Sequence, residues 1–305
     1  MKIKKISICI FLVVLTLIIT TLLLFNNKNG KKEKDFSYTP IMYKVCDDNN
    51  CNYLVGSMHL GDEKIEKFNS IVLEAYNDSD ALAVEVDTTD AKIDEKMFLI
   101  SDNKTLDDYI SESLKEKLEQ FSQNHLFFPY EQYKKYIPGF IIDVISLLPY
   151  IENGMLNEGV DSYFLKLAHN ENKEIISIET LESQLAFFTD YSDELYIKML
   201  EENIDNYDKL KELSMELYKV YLTGDPEKIV NILNEEQTEE NMTEEEIIYN
   251  NAMLQDRNVV MANAIESYLK NDKNVFVVVG AAHVVGKSGI IDILDNKGYK
   301  ISLIK

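Results

Sequence analysis

Asn274-Val275-Phe276-Val277-Val278-Val279-Gly280-Ala281-Ala282-His283 decides the fold. From Val275 to Val279 every side chain is apolar and most are β-branched, with no alternation of polar and apolar positions. Such a run predicts a strand buried on both faces, the kind found in parallel sheets covered by helices on each side. Its flanks agree. Upstream, Thr243-x-x-Glu246 is a capping box that predicts a long helix to about Lys270, with an apolar stripe through Ile247, Leu254, Met261, Ile265 and Tyr268. Arg257 and Asn258 lie on or beside that stripe. Downstream, Ser288 to Asn296 reads as a helix and Tyr299 to Ile304 as a last strand.

Further strands follow on the same grounds. Ala81-Leu-Ala-Val-Glu-Val-Asp87 and Glu174-Ile-Ile-Ser-Ile-Glu179 are short buried runs that deliver carboxylates at their C-terminal ends. Residues 41–46 and 51–55 are strand-like on either side of Asp47-Asp48-Asn49-Asn50, so a hairpin is expected there. Cys46 and Cys51 flank its turn. A disulfide across the hairpin is expected if the body lies outside the cytoplasm, and free thiols if it does not. Asp62 to Asn77 has a helical stripe, residues 90–170 read mostly as helix, and 181–222 and 226–234 are helical again. Pro129 to Pro149, rich in aromatics and aliphatics, reads as plain core or as the lining of a groove. Together these predict an α/β domain over 36–305 with a mixed, largely parallel sheet and a large helical insertion from about 90 to 270.

The chain has 305 residues and a formal net charge of −22. Residues 1–35 carry seven lysines against two acids, while the remainder carries 24 basic and 51 acidic groups. So acidic a body repels phosphate backbones, which excludes a nucleic-acid partner. Three cysteines exclude a disulfide scaffold and a four-cysteine zinc module. The N-terminal segment is different in kind. Lys2, Lys4 and Lys5 precede an apolar run from Ile6 to Phe25 broken only by Ser7, Thr16, Thr20 and Thr21. About 20 such residues span a bilayer as a helix. No small-x-small cleavage site follows, so residues 1–25 read as a transmembrane signal-anchor in the lipid bilayer. Residues 26–35 read as a tether, and the acidic body is expected outside the cytoplasm at the cell membrane.

Chemistry concentrates where strands end. Leu54-Val-Gly-Ser-Met-His59 and Val278-Val-Gly-Ala-Ala-His283 each place a histidine after strand and Gly-x-x. Loops beyond strand C-termini bind ligands in open α/β sheets, and Gly lets the chain turn sharply there. His59 and His283 are therefore expected on one rim, with Glu85 and Glu179 pointing to it. Two imidazoles with one or two carboxylates make either a divalent-metal site or an acid/base site. His125 and His169 read as a packing or surface residue and a solvated helix end, and Asp87 as the cap of the next turn. Gly280 to Ser288 contains Gly-Lys-Ser after a strand, but five residues separate the first Gly from Gly-Lys where a phosphate loop needs four. Nucleotide binding is excluded on that spacing.

Tyr53-Leu-Val-Gly-Ser-Met-His59, Ala83-Val-Glu-Val-Asp87, Gly159-Val-Asp161, Ile178-Glu-Thr-Leu-Glu-Ser-Gln184, Arg257-Asn258 and Val279-Gly-Ala-Ala-His-Val-Val-Gly286 occur in the order of the TraB/GumN family, which includes the TIKI membrane-anchored metalloproteases. The chain resembles that family over residues 40–305. The resemblance implies a fold shared with erythromycin-esterase-like and ChaN-like proteins. For the TIKI branch it implies metal-dependent peptide cleavage in which both Gly-x-x-His motifs and a strand-end Glu are essential, positions that fall on His59, His283 and Glu85. On this reading the three hold a divalent ion such as Mn, Co or Zn. Glu179 serves as general base or outer carboxylate, Arg257 neutralises the oxyanion, and Asn258 binds the substrate or orients a ligand. The expected protein is an outward-facing metal-dependent hydrolase of peptides. The alternative is a non-catalytic sink for a hydrophobic, pheromone-like peptide, held along Phe127, Phe128, Tyr130, Tyr133, Tyr136 and Phe140. Haem or iron handling and hydrolysis of an ester or lactone are further readings.

Overall fold

The computed structural model describes residues 36–89, 91–234 and 242–305. The expected anchor at 1–25 and tether at 26–35 lie outside the described residues, as does the acidic run from 235 to 241. Among the described residues, no helix is long and apolar enough to cross a membrane.

The strands are β1 (Met42–Cys46), β2 (Cys51–Ser57), β3 (Leu60–Gly61), β4 (Ala81–Val84), β5 (Asn157–Glu158), β6 (Glu174–Ser177), β7 (Val275–Gly280) and β8 (Lys300–Ile304). The main sheet runs in the order β6-β4-β7-β2-β1-β8, and β3 and β5 form a small second sheet. β2, β7, β4 and β6 are mutually parallel, whereas β1 runs antiparallel to both β2 and β8. The mixed, largely parallel α/β sheet expected from the sequence is therefore present. β7 and β4 are buried along their whole length, as their unbroken apolar runs require. At the edges, β6 and β8 are partly exposed.

The parallel register puts four strand ends on one rim. Ser57 pairs with Gly280 and Val84 with Val278, while Val84 also faces Ser177. The ladder then continues past the strands, with Glu179 N donating to Glu85 O at 2.8 Å. Both glutamates thus leave the sheet at the same level. At the far end of the hairpin, Cys46 and Cys51 are register partners and are joined by a disulfide.

Three expectations need correction. The helix read over Asp62–Asn77 spans only Ser70–Asn77. Asp62 accepts the N–H of Lys64 and the hydroxyl of Tyr218, which favours a turn, and Phe68 bridges to Tyr38 in extended form. The 181–222 helix is broken into Leu181–Leu185, Asp193–Asp205 and Tyr207–Tyr221. The Thr243 capping box is present, but the long helix carries a π-helical segment at Asn251–Asp256. One extra residue per turn shifts the buried face there. Glu246 and Tyr249 are buried before it and Arg257, Asn258, Met261 and Ile265 after it, while Ile247 and Leu254 are only half-buried. Of the two readings of the aromatic stretch, core and groove, the structure shows core. Phe128, Tyr130, Tyr136 and Phe140 are buried, and the helix Pro138–Glu152 is buried on all sides up to Ile151. A helix apolar all round belongs in a protein interior.

Candidate functional site

His59 and His283 stand two and three residues beyond Ser57 and Gly280, the last paired positions of adjacent strands β2 and β7. Of the glycines in the two Gly-x-x-His stretches, Gly56 is needed for space, while at Gly280 a Cβ would make only ordinary contacts, 3.4 Å from Glu85 Oε1 and from the His283 ring. Gly56 lies within β2, and a Cβ there would come to 2.9 Å from the Ala281 Cα. Gly280 has an ordinary φ of −51° and donates its N–H to Glu85 Oε1 at 2.7 Å. Both histidines, Glu85 and Arg257 are near enough at this rim to act electrostatically on one another.

Each imidazole has an oxygen partner at Nδ1, but only His283 is hydrogen-bonded there. Asn258 donates its Nδ2 to the carbonyl of Ser288 at 2.9 Å. A carbonyl only accepts, so the amide oxygen faces the other way and lies 2.7 Å from His283 Nδ1. His283 therefore carries its proton on Nδ1 and keeps a lone pair on Nε2. Asp161 stands beside His59 as its ion-pair partner, with Oδ2 3.1 Å from Nδ1 but without the alignment of a hydrogen bond. Asp161 sits in the first turn of the helix Val160–Glu171. Gly159, just before that helix, packs so tightly on the His59 loop that a Cβ would lie 2.0 Å from Met58 O. Neither Nε2 has a hydrogen-bond partner among the described residues.

Arg257 joins the two strand-end glutamates. Its Nε and Nη2 donate to Glu179 Oε1 and Oε2, both at 2.8 Å, and Nη2 also donates to Glu85 Oε2 at 2.6 Å. Nη1 reaches Met253 O at 3.4 Å. Of about five guanidinium donors, only one, on Nη1, is left. Arg257 is thus chiefly the clamp of Glu85 and Glu179, and neutralisation of an oxyanion would rest on that single N–H. Glu179 has both oxygens on Arg257, which suits an outer carboxylate better than a free base. Gln184 completes the clamp, donating to Glu85 at 3.2 Å and to Glu179 at 3.1 Å.

Charges in the site are unevenly tuned. Burial works against a charge on His59, but Asp161 and Glu85 outweigh it and lift the imidazole to about 9. His283 is driven down to about 3 by burial and by the Arg257 guanidinium, against the pull of Glu85. Burial would raise Glu85, yet Arg257, His283, His59 and the Gly280 N–H hold it well below the usual carboxylate range. The remaining histidines lie elsewhere. His125 meets Glu152 at 2.6 Å and stacks on Phe121, and the exposed His169 lies 3.4 Å from Asp87, which caps its turn through the Thr89 N–H.

A divalent ion is compatible with part of this set. His283, neutral and with Nδ1 held by the Asn258 oxygen, is in the form in which histidine binds metals, whereas His59, held charged by Asp161 and Glu85, must lose its Nε2 proton to become a ligand. Glu85 Oε2 accepts from both Arg257 and Gln184, so the lone pair left beyond the bonds it accepts is on Oε1. Among the described residues, however, no three His, Cys, Asp or Glu side chains stand grouped as a ready-made metal site. Sequence reasoning did not assign Asp161 or Gln184, although both lie in stretches singled out by order. It also missed Asp143, whose signal was a lone acid inside the apolar run Phe140 to Leu148.

The TraB/PrgY/gumN family model matches residues 41–303, and the chain belongs to this family. No curated protein and no solved structure matches it.

Proposed function

We propose that the protein is a membrane-anchored, outward-facing hydrolase that cleaves peptides with the help of a divalent ion held by His59, His283 and Glu85. The observation that carries this reading is the pair of imidazoles from adjacent strand ends, His283 hydrogen-bonded through Nδ1 to Asn258 and His59 ion-paired with Asp161, neither with a hydrogen bond at Nε2 among the described residues. When bound, the ion would polarise the scissile carbonyl and acidify a water. The chain's own residues do the rest. Asp161 and Asn258 orient the histidines. Arg257 and Gln184 fix Glu85 and Glu179, and the remaining Nη1 donor of Arg257 faces the developing charge. The Cys46–Cys51 disulfide supports an oxidising compartment, as expected if residues 1–25 anchor the body outside the cytoplasm.

The test is incubation of the full chain with peptides after metal removal, then with Mn, Co or Zn restored, and mass spectrometry of the products. Fragments that need the restored metal and both histidines support the reading. Peptides recovered intact under all conditions would overturn it.

A further inference from the structure

The helix Pro138–Glu152 carries a carboxylate into the interior. Asp143 is 2% exposed, and its side chain makes no hydrogen bond or ion pair among the described residues. It lines a cavity of about 10 Å³ together with Phe187, Phe188, Tyr196, Tyr249 and Met253. That is room for about one water-sized group. A buried carboxyl normally has partners, because an unmet one costs free energy. Here the walls are four rings, a thioether side chain, Ile142 and the backbone of Gly139, and none of them is a cation.

The cavity abuts the candidate site. The Phe187 ring lies 5.9 Å from the Arg257 guanidinium, and Met253 O is the acceptor of Arg257 Nη1. Met253 belongs to the π-helical segment, and π-bulges commonly occur at functional sites. Asp143 also feels the charge of His59. The surroundings are rich in carboxylates, with Glu85, Glu179 and Asp161 beside Arg257 and His59.

We infer that this cavity is a subsite for a primary ammonium group of the substrate, with Asp143 as counter-ion and the surrounding rings as its walls. A water-sized –NH3+ matches the space, and aromatic faces attract cations. The carboxyl is pushed up to about 7 by burial, with His59 pulling the other way. An incoming cation would favour its ionised form. The inference rests on the hydrolase reading only for the nature of the substrate. Two sources share this chemistry, a peptide's terminal α-ammonium and a lysine ε-ammonium.

The experiment is equilibrium binding by calorimetry to the full chain in chelator, so that binding is read apart from turnover. The probes are leucine amide, Nα-acetyl-lysine amide and Nα-acetyl-leucine amide, carrying an α-ammonium, an ε-ammonium and neither. An ammonium probe is expected to bind roughly tenfold to a hundredfold more tightly than the uncharged one, the range of a hydrogen bond to a charged group. Asp143→Asn should erase that preference, and the stronger of the two charged probes identifies the source. Equal binding of all three by the wild type, or a preference that survives in Asp143→Asn, would overturn the subsite. The wild-type comparison needs no variant, so a substitution that failed to fold would leave it decisive. Ammonium binding without any peptide cleavage would overturn the hydrolase reading alone, and cleavage without ammonium preference the subsite alone.

Discussion

Asn258 Oδ1 lies 2.7 Å from His283 Nδ1, although the two residues come from different elements on either side of β7. The Asn258 amide is oriented in turn by the Ser288 carbonyl. This small relay sets which nitrogen of His283 is free. Asn258→Ala should therefore lower metal affinity and peptide cleavage by about 10–100-fold, as removal of outer partners of ligand histidines does. Titration of the variant with Mn, Co or Zn checks it. An unchanged affinity would show that the relay is not used.

Arg257 is a cation clamped between Glu85 and Glu179 within hydrogen-bonding distance of both. Arg257→Met leaves two buried carboxylates without it, and breaking a buried pair from one side costs about 3–5 kcal/mol. Urea unfolding should show a loss of that order. Arg257→Lys should recover only part of it, because a point charge cannot reproduce the forked contacts.

Asp143 gives stability a definite pH dependence. Its carboxyl is raised by burial from 3.8 to about 7 in the folded chain. A raised acid holds its proton more tightly when folded, so its contribution is fully present below the unfolded value and is lost as pH rises through the folded one. Relative to Asp143→Asn, wild-type stability should fall between about pH 4 and pH 7, by at most about 1.4 kcal/mol per pH unit. Denaturation at several pH values measures it. Parallel curves for the two proteins would contradict it.

The Cys46–Cys51 disulfide closes a short loop, with a sequence separation of 5, at the end of β2 opposite His59. By the loop-entropy relation, replacing both cysteines with serine should cost about 2 kcal/mol of stability. Cleavage should be unaffected, since the hairpin turn does not touch the rim. A loss of activity without a loss of stability would contradict this.

The strands and the rim were legible because buried parallel strands write themselves as unbroken apolar runs. Val275–Val279 and Ala81–Val84 left little choice, and the acids that end such runs follow the sheet register. The two Gly-x-x-His stretches were visible for the same reason. What was not legible comes from side chains that act across the fold. Asp161 and Gln184 lie on helices where a polar residue carries no positional signal, and nothing in their spacing ties them to His59 or Glu85. The π-helical segment left no mark in the sequence, so the stripe through Ile247 and Leu254 was continued on the wrong face. The aromatic run from Phe128 to Phe140 has the composition of a groove and of a core alike, and only packing separates the two.

The most direct measurement is the divalent metal content of the purified full chain, compared with His59→Ala and His283→Ala. The expected result is close to one Mn, Co or Zn ion per wild-type chain, lost in both variants together with chelator-sensitive peptide cleavage. A wild-type chain that takes up no ion at saturating metal, or variants that bind it as the wild type does, would contradict the proposed site.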